Sequence, residues 1–291
     1  MSGQLYLLPC PISEAPALDA LPASTVETAR RIDHFLVEAA RTARATLKAM
    51  GHPKPIAELD IVEIGHDPTP ELITEWLQPV LDGADAAVLS ESGCPGVADP
   101  GAQIAARAHE LGIRVVPLTG PSSILLTLMA SGLDGQRFRF SGYLPKHDAE
   151  RRAAILAAEK ASRASETQLF IETPYRNTAL LDALLETLAP DTRLTVAIDV
   201  TGQNESIRTL TAAAWKAIPK AMRTLPKLPT VFAFLAKPGK TAPRYAPECA
   251  GGKRAHTAPS SKPAVLNNRP KPAYKTHRPE GSPVKTLKGG R

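Results

Sequence analysis

The sequence predicts an α/β fold in which short parallel strands alternate with helices. Short apolar runs bounded by turn residues recur along residues 1–239, and several are separated by segments with apolar residues at helical spacing. An alternation of strand, helix and strand is typical of parallel sheets with crossover helices. With 291 residues and a 43% hydrophobic composition, the chain is long enough to bury a substantial core.

Each short apolar run between turn residues is predicted to be a strand. The predicted strands are Leu5–Leu8, Phe35–Glu38, Ile61–Ile64, Ala86–Ser90, Arg114–Leu118, Phe138–Gly142, Gln168–Thr173, Leu194–Val200 and Thr230–Ala236. Apolar residues that share one helical face predict two amphipathic helices. The first face contains Leu72, Ile73, Trp76, Leu77, Val80 and Leu81, and the second contains Leu180, Leu181, Leu184, Leu185 and Leu188.

Cap residues predict where two helices begin and end. Thr69 and Pro70 are typical of a cap and a first helical residue, and Gly83 fits just past the end of that helix. Asp99-Pro100 predicts the start of another helix, which Gly112 ends.

The composition changes after residue 239. Residues 240–291 are rich in Pro, Gly, Lys and Arg and show no sustained apolar period, which predicts a disordered tail. This tail carries a net charge of +10 and residues 1–239 carry −4, so the basic excess behind the overall +6 lies in the tail. In the folded part, the turn residues Thr119–Ser123 favour a boundary between two α/β domains, residues 1–118 and 119–239.

Several classes of protein do not fit this sequence. No apolar run approaches the ~18 residues needed to cross a membrane, and the first residues do not resemble a secretory signal. Cys10, Cys94 and Cys249 are odd in number and far apart, which argues against a disulfide framework or a clustered zinc site. We therefore expect a cytoplasmic protein with reduced thiols and no metal site. Glycine-rich nucleotide motifs and the HExxH and GxSxG motifs are also missing.

Three loops at the expected carboxyl ends of strands contain small and cap-forming residues. They are Pro9–Glu14, Ser90–Gly101 and Thr119–Ser123. Ligands bind at this edge of open parallel sheets, and helix N-terminal N–H groups suit carboxylate or phosphate oxygens. Each loop taken alone is more typical of an ordinary turn into a helix than of a ligand site.

At these loops the sequence resembles the tetrapyrrole methylases, from about Leu5 to Ala236. The nearest branch methylates a cytidine ribose 2′-hydroxyl of small-subunit ribosomal RNA and typically carries the motifs P-T-P-I-G-N, E-D-T-R, S-D-A-G-T-P…D-P-G, V-V-P-L-P-G-P-S and E-S-P-H-R. The matching residues are Pro9, Pro11, Ile12, Glu38, Arg41, Ser90, Gly93, Pro95, Asp99, Pro100, Gly101, Val115–Leu118, Gly120–Ser122, Glu172, Pro174 and Arg176. The departures include Glu14 for Asn, Ala39-Ala40 for Asp-Thr, Glu91 for Asp and Cys94 for Thr.

The resemblance implies two α/β domains with S-adenosylmethionine bound in the cleft between them. The cofactor-binding residues it implies are Pro9, Ser92, Gly93, Cys94, Pro95, Val97, Ser122 and Ser123. Glu38 and Arg41 are the candidate catalytic residues in the acceptor region, and a structural carboxylate beside a surface arginine is the alternative for them. Cys10 and Cys94 lie in loops that should meet at the cofactor. Bound cofactor would then shield both from alkylation, unless they are simply two small buried apolar residues.

The function implied is a methyltransferase whose acceptor is an RNA ribose 2′-hydroxyl. The basic tail is a candidate RNA-binding arm, because a folded part of charge −4 repels nucleic acid, and a solubilising extension is the alternative. The family resemblance also implies a homodimer. Two other functions remain open, namely methylation of a tetrapyrrole-like small molecule and a non-catalytic, RNA-associated role that retains the fold.

Overall fold

The computed structural model describes residues 2–14, 16–65 and 67–238. The tail predicted to be disordered, residues 240–291, lies outside these ranges. Among the described residues no helix has the length and apolar character needed to cross a membrane. The fold is α/β, as the sequence predicts, and is built on two five-stranded sheets.

The first sheet is parallel throughout, with the strand order β3-β2-β4-β1-β5. Its strands are β1 (Gln4–Leu8), β2 (His34–Val37), β3 (Asp60–Glu63), β4 (Ala86–Leu89) and β5 (Arg114–Pro117). The connecting helices are α1 (Ala17–Ala20), α2 (Ala23–Ala29), α3 (Ala40–Ala49), α4 (Pro70–Leu81) and α5 (Ala102–Glu110), with a 3-10 turn at Ile56–Glu58.

Helices cover both faces of this sheet. Phe35 and Val37 pack in the core that contains α2 and α3, whereas Leu36 and Val88 pack in the core that contains α4 and α5. All residues of β2 and β4 are buried as a result. Burial on both faces is the reason that these strands are continuous apolar runs rather than alternating ones.

Of the two predicted helix starts, one is confirmed and the other is wrong. Helix α4 begins at Pro70, and the Thr69 hydroxyl accepts a hydrogen bond from the N–H of Leu72, which confirms the predicted cap. Helix α5 begins at Ala102, so the predicted start at Asp99-Pro100 is wrong. Gly101 has a φ of +126°, which L side chains rarely adopt, and the chain turns there before the helix begins.

The second sheet is mixed, with the strand order β6-β7-β10-β8-β9. Its strands are β6 (Phe138–Tyr143), β7 (Thr167–Glu172), β8 (Arg193–Ile198), β9 (Ser206–Thr211) and β10 (Thr230–Leu235). The remaining helices are α6 (Ser123–Ser131), α7 (Asp148–Ser162), α8 (Asn177–Thr187) and α9 (Ala212–Ala217), with 3-10 turns at Pro174–Arg176 and Lys220–Met222.

The prediction of parallel sheets is wrong for this second sheet. Strands β6 and β7 pair in parallel, but β7 with β10, β10 with β8 and β8 with β9 are antiparallel. Residues 199–205, which join β8 to β9, are too few for the crossover that a parallel pair requires. The sequence pattern misses β9 because this edge strand has only Ile207 and Leu210 as apolar residues.

Helix α6 packs on the second sheet, where Ile124 and Leu128 share a core with Leu169 and Val231. The predicted division into residues 1–118 and 119–239 falls between the end of β5 and the start of α6. Both sheets belong to one compact unit, so the division into two domains stays a prediction.

The order of the first sheet creates a crevice at its carboxyl edge. Strands β1 and β4 are neighbours, but the helices that follow them pack on opposite faces, α2 after β1 and α5 after β4. The loops that leave the two strands therefore diverge. This is the position at which open α/β sheets bind ligands.

Candidate functional site

The three loops predicted to form a ligand site come together at this crevice. The Cys10 N–H donates to the Gly93 carbonyl at 2.8 Å, and the Cys10 thiol donates to the Ser90 carbonyl at 3.1 Å. On the other side, the Cys94 thiol donates to the Pro121 carbonyl at 3.4 Å. Residues 9–14, 90–101 and 119–123 are thus joined through the two cysteines.

Close packing of Pro9 completes this junction. A Cβ atom on Gly120 would lie 2.2 Å from Cβ of Pro9, so only glycine allows the two loops to approach this closely. Gly93 has a φ of +73°, and a Cβ atom there would lie 3.2 Å from Cγ2 of Ile12. Glycine at residues 93 and 120 therefore allows the three loops to pack closely together.

A cavity of about 310 Å³ lies between these loops and the second sheet. Its lining from the first sheet and α6 is Ile12, Ser92, Gly93, Cys94, Val97, Ala98, Asp99, Ser122, Ser123 and Ile124. Its lining from the second sheet is Tyr143, Ile171, Glu172, Thr173, Pro174, Val200, Pro229, Thr230 and Val231. We call it the cofactor cavity. Its volume and its mixture of apolar walls with a few polar groups are typical of small-molecule sites.

Most of the residues predicted to bind the cofactor line this cavity. They are Ser92, Gly93, Cys94, Val97, Ser122 and Ser123. Pro9 and Pro95 are not part of the lining: Pro9 packs against Gly120, and Pro95 packs near Gly101. These two prolines support the loops from behind.

Helix α6 begins at the cavity wall. Its cap residue Ser122 makes no side-chain capping hydrogen bond, and its first residue is Ser123. The first N–H groups of a helix have no partner within it and carry a partial positive charge. Backbone donors and two hydroxyls are therefore available there to a carboxylate group.

The residues that the second sheet contributes to the cofactor cavity were not among the predicted cofactor-binding residues. Glu172 is buried, and its carboxylate accepts hydrogen bonds from the Thr173 N–H at 2.7 Å and from the Arg176 guanidinium at 2.5 Å. The available signal was the match of Glu172, Pro174 and Arg176 to one family motif. Val200 and Thr230 lie near the ends of β8 and β10, and only the sheet order reveals that these ends face the first sheet.

A larger cavity of about 660 Å³ adjoins the cofactor cavity and shares Ile12, Ser92 and Pro229 with it. Its remaining lining is Pro11, Ser13, Glu14, Pro16, Glu91, Asp199, Thr201, Gly202, Gln203, Asn204 and Leu228. We call it the acceptor cavity. The hydroxyls of Ser13 and Thr201 lie 3.0 Å apart and connect loops from the two sheets. Asp199 and Thr201 have positive φ angles of 49° and 68°, a strained conformation that is typical of functional loops.

The candidate catalytic residues Glu38 and Arg41 line neither of these two cavities. The Glu38 carboxylate accepts a hydrogen bond from the Glu91 N–H at 3.1 Å, and so holds the start of the 90–101 loop. Arg41 is exposed in the first turn of α3, next to Thr42, whose hydroxyl donates to Glu91 Oε1 at 3.0 Å. Glu38 therefore contacts the lining of the acceptor cavity from outside it, and Arg41 is not part of the lining.

Burial and neighbouring charge change the acidity of three groups here. Burial, followed by the Glu38 and Glu91 carboxylates, raises the pKa of Asp99 to about 6. Burial is also the main reason that the pKa of the Cys10 thiol rises to about 12, and it raises the pKa of Cys94 as well. In the ranges that the structure describes, no group of three or more His, Cys, Asp or Glu residues is placed to hold a metal ion.

The pKa of Asp99 leads to a pH-dependent prediction. Because the pKa of Asp99 is higher in the folded protein than the usual 3.8, the free energy of unfolding falls as the pH rises from 3.8 to about 6 and Asp99 ionises. Asp99→Asn should therefore unfold at a higher temperature than the unmodified chain at pH 7.5. The difference should shrink as the pH falls from about 6 to below 3.8, where the protonated form of Asp99 predominates in both states. Thermal unfolding at several pH values measures this, and a difference independent of pH would contradict it.

Comparison with known proteins supports the reading of the motifs. The profile of the family "Tetrapyrrole (Corrin/Porphyrin) Methylases" matches residues 17–215. The "Ribosomal RNA small subunit methyltransferase I" of Vibrio cholerae is 29% identical over 205 residues, which cover 70% of this chain and 67% of that protein. The protein of the same name from Mesorhizobium japonicum is 33% identical over 72% of this chain and 68% of its own length. The match thus spans about two thirds of the length of these relatives.

Two solved structures share the fold of this chain. The methyltransferase CobJ superposes with a TM-score of 0.54 at 16% identity, over 81% of this chain and 95% of its own. Diphthine synthase superposes with a TM-score of 0.56 at 16% identity, over 81% of this chain and 90% of its own. The family profile covers more than half of the chain, and several of the motifs that carry the resemblance contribute residues to the cofactor cavity. The chain belongs to the tetrapyrrole methylase family.

Proposed function

We propose that this protein transfers a methyl group from S-adenosylmethionine to a ribose 2′-hydroxyl of RNA. Family membership establishes the methyltransferase class and S-adenosylmethionine as the donor. The acceptor is the proposal. The observation that carries it is the pair of adjoining cavities, because an enzyme that joins a small donor to a macromolecular acceptor needs one site for each, with a shared boundary.

The residues of the cofactor cavity fit the donor. S-adenosylmethionine, when bound, supplies an electrophilic methyl group on a positively charged sulfur. Gly93 leaves room for close approach to the backbone, Ser122 and Ser123 offer hydroxyl and N–H donors for a carboxylate, and apolar side chains such as Ile124 and Val231 suit an adenine ring. Ser92, Cys94 and Val97 complete the wall, and Pro9 and Pro95 support it.

The acceptor cavity is the proposed site of the RNA. The curated relatives described above carry names that place their activity on small-subunit ribosomal RNA. The cavity itself has three acidic side chains and, among the described residues that line it, no Lys or Arg. Such a lining suits a nucleoside with its hydroxyl and amine donors, whereas the phosphates must be held elsewhere.

Cationic groups outside the cavity are the proposed phosphate contacts. Arg41 is exposed, and the next residue, Thr42, donates to Glu91 of the acceptor cavity. The tail, residues 240–291, adds twelve Lys and Arg to a folded part whose net charge is −4. We assign both to RNA binding, with the tail acting without sequence specificity.

We also propose a cytoplasmic homodimer. Helix α6 is mostly apolar, and its Leu125 and Met129 are 50% and 78% exposed. Neighbouring exposed apolar side chains mark interaction sites, so a second copy of the chain is the proposed cover. The cytoplasmic location is supported by the free thiols of Cys10 and Cys94 and by the expected ribosomal substrate.

The proposed function is tested with labelled donor. Incubation with tritiated S-adenosylmethionine and small ribosomal subunits should place the label in RNA. A methyl group on a ribose 2′-hydroxyl blocks cleavage by alkali, so the label should appear in alkali-stable dinucleotides. Added S-adenosylhomocysteine should suppress the transfer. Label in a porphyrin or corrin precursor but not in RNA would contradict the proposal, as would label in RNA that alkali releases as mononucleotides.

The placement of the donor predicts unequal labelling of the two cysteines. Cys94 lines the cofactor cavity, whereas Cys10 is 1% exposed and its pKa is about 12. Because thiolates are the reactive form, iodoacetamide should modify Cys94 slowly and Cys10 hardly at all. S-adenosylmethionine should protect Cys94 and leave Cys10 unchanged. Peptide mass spectrometry separates these sites from Cys249. Equal modification of Cys94 with and without the donor would contradict the placement.

The RNA contacts are tested by the salt dependence of binding. Arg41→Ala should weaken RNA binding and lower the slope of log affinity against log salt by about 1. Removal of residues 240–291 should lower this slope by several units, because the tail carries many cationic side chains. Arg163→Ala, which removes an exposed arginine at the end of α7, is the matched control and should leave the slope unchanged. The proposal fails for Arg41 or for the tail if the corresponding slope equals that of the unmodified chain.

A further inference from the structure

We propose that Glu91 is the carboxylate that removes the proton from the acceptor hydroxyl, and that Glu38 and Thr42 position it. This inference rests on the proposed function, because it names the group that acts on the acceptor in the same site. Glu91 was not among the catalytic residues expected from the sequence.

The location of Glu91 is the first argument. It lines the acceptor cavity, and the next residue, Ser92, lines both cavities. A group that takes a proton during methyl transfer must be near the acceptor oxygen, at the boundary with the donor site. Glu91 is exposed to the cavity, whereas the Glu38 carboxylate lines neither space.

The hydrogen bonds of Glu91 are the second argument. Its N–H donates to Glu38 Oε2 at 3.1 Å, and its Oε1 accepts from the Thr42 hydroxyl at 3.0 Å. Its other oxygen, Oε2, has no hydrogen-bond partner among the described residues. One oxygen is thus fixed by the protein and the other is available to the acceptor, which is the arrangement expected of an oriented base.

The charges around Glu91 support the same role. No Lys, Arg or His is found among the described residues that line either cavity, so no cation there holds the carboxylate in an ion pair. Asp199, in the same cavity, also has one oxygen held, since its Oδ2 accepts from the Asn204 N–H at 2.9 Å. Asp199 and Glu14 are the other carboxylates of the acceptor cavity and are the competing candidates in the test below.

In the proposed step, the acceptor hydroxyl gains a methyl group and loses its proton. The acceptor oxygen forms a bond to the methyl carbon as the carbon–sulfur bond breaks, and the sulfur retains the electron pair of that bond as a neutral thioether. The hydroxyl proton passes to Oε2 of Glu91, which later releases it to water. Alignment of oxygen, carbon and sulfur by the two cavities supplies the rest of the rate.

The test compares single-turnover methyl transfer to small ribosomal subunits with S-adenosylmethionine binding measured by calorimetry. Glu91→Gln should lower the transfer rate by about 10²- to 10⁴-fold while donor affinity stays within about twofold. Glu91→Ala should be as slow and should regain activity with added formate, which can act as an external base. Glu150→Gln, an exposed carboxylate on α7, is the matched control and should transfer at the normal rate.

Variants of Thr42 test the positioning role. Thr42→Val removes the hydroxyl that fixes Oε1 and should slow transfer, whereas Thr42→Ser keeps the hydroxyl and should restore the rate. Normal transfer by Glu91→Gln, or loss of transfer in Glu14→Gln or Asp199→Asn with none in Glu91→Gln, would overturn the inference. An unmodified chain that methylates no RNA would instead overturn the proposed function, so the two failures are distinguishable.

Discussion

The site depends on a topological constraint in the first sheet. Strands β1 and β4 are hydrogen-bonded neighbours, yet the chain leaves them toward opposite faces. The loops after these strands lead to helices on opposite faces, and the pairing of Cys10 with Gly93 joins the two loops at the carboxyl edge of the sheet. Everything that we assign to the donor, including the start of α6 and the ends of the second sheet, is placed against this crevice.

Local sequence patterns predicted the first sheet well, for a physical reason. Its strands are buried on both faces and its helices are amphipathic, so β2, β4 and α4 appear as clear apolar runs or periods. The second sheet is different, because β9 is a half-polar edge strand and antiparallel pairing depends on the short 199–205 connection. Neither feature has a strong local signal.

In the candidate site, too, some residues were predicted from local motifs, whereas other features depend on contacts that only the structure shows. Ser92, Gly93, Ser122 and Ser123 were predicted from motifs, and they line one cavity. Glu38 was predicted to be a catalytic residue, but only the structure shows that its carboxylate accepts a hydrogen bond from the Glu91 N–H. Likewise, the sequence places both cysteines in loops expected to meet at the cofactor. The structure shows that Cys10 is nearly inaccessible, whereas Cys94 lines the cavity.

The central claim is that the crevice between β1 and β4 holds the donor, with the acceptor cavity next to it. A crystal structure of the protein with S-adenosylhomocysteine tests this most directly. We predict that the ligand contacts Gly93 and the start of α6 at Ser122 and Ser123, with its sulfur directed toward the boundary formed by Ile12, Ser92 and Pro229. A ligand bound in the acceptor cavity, or away from both cavities, would contradict the account.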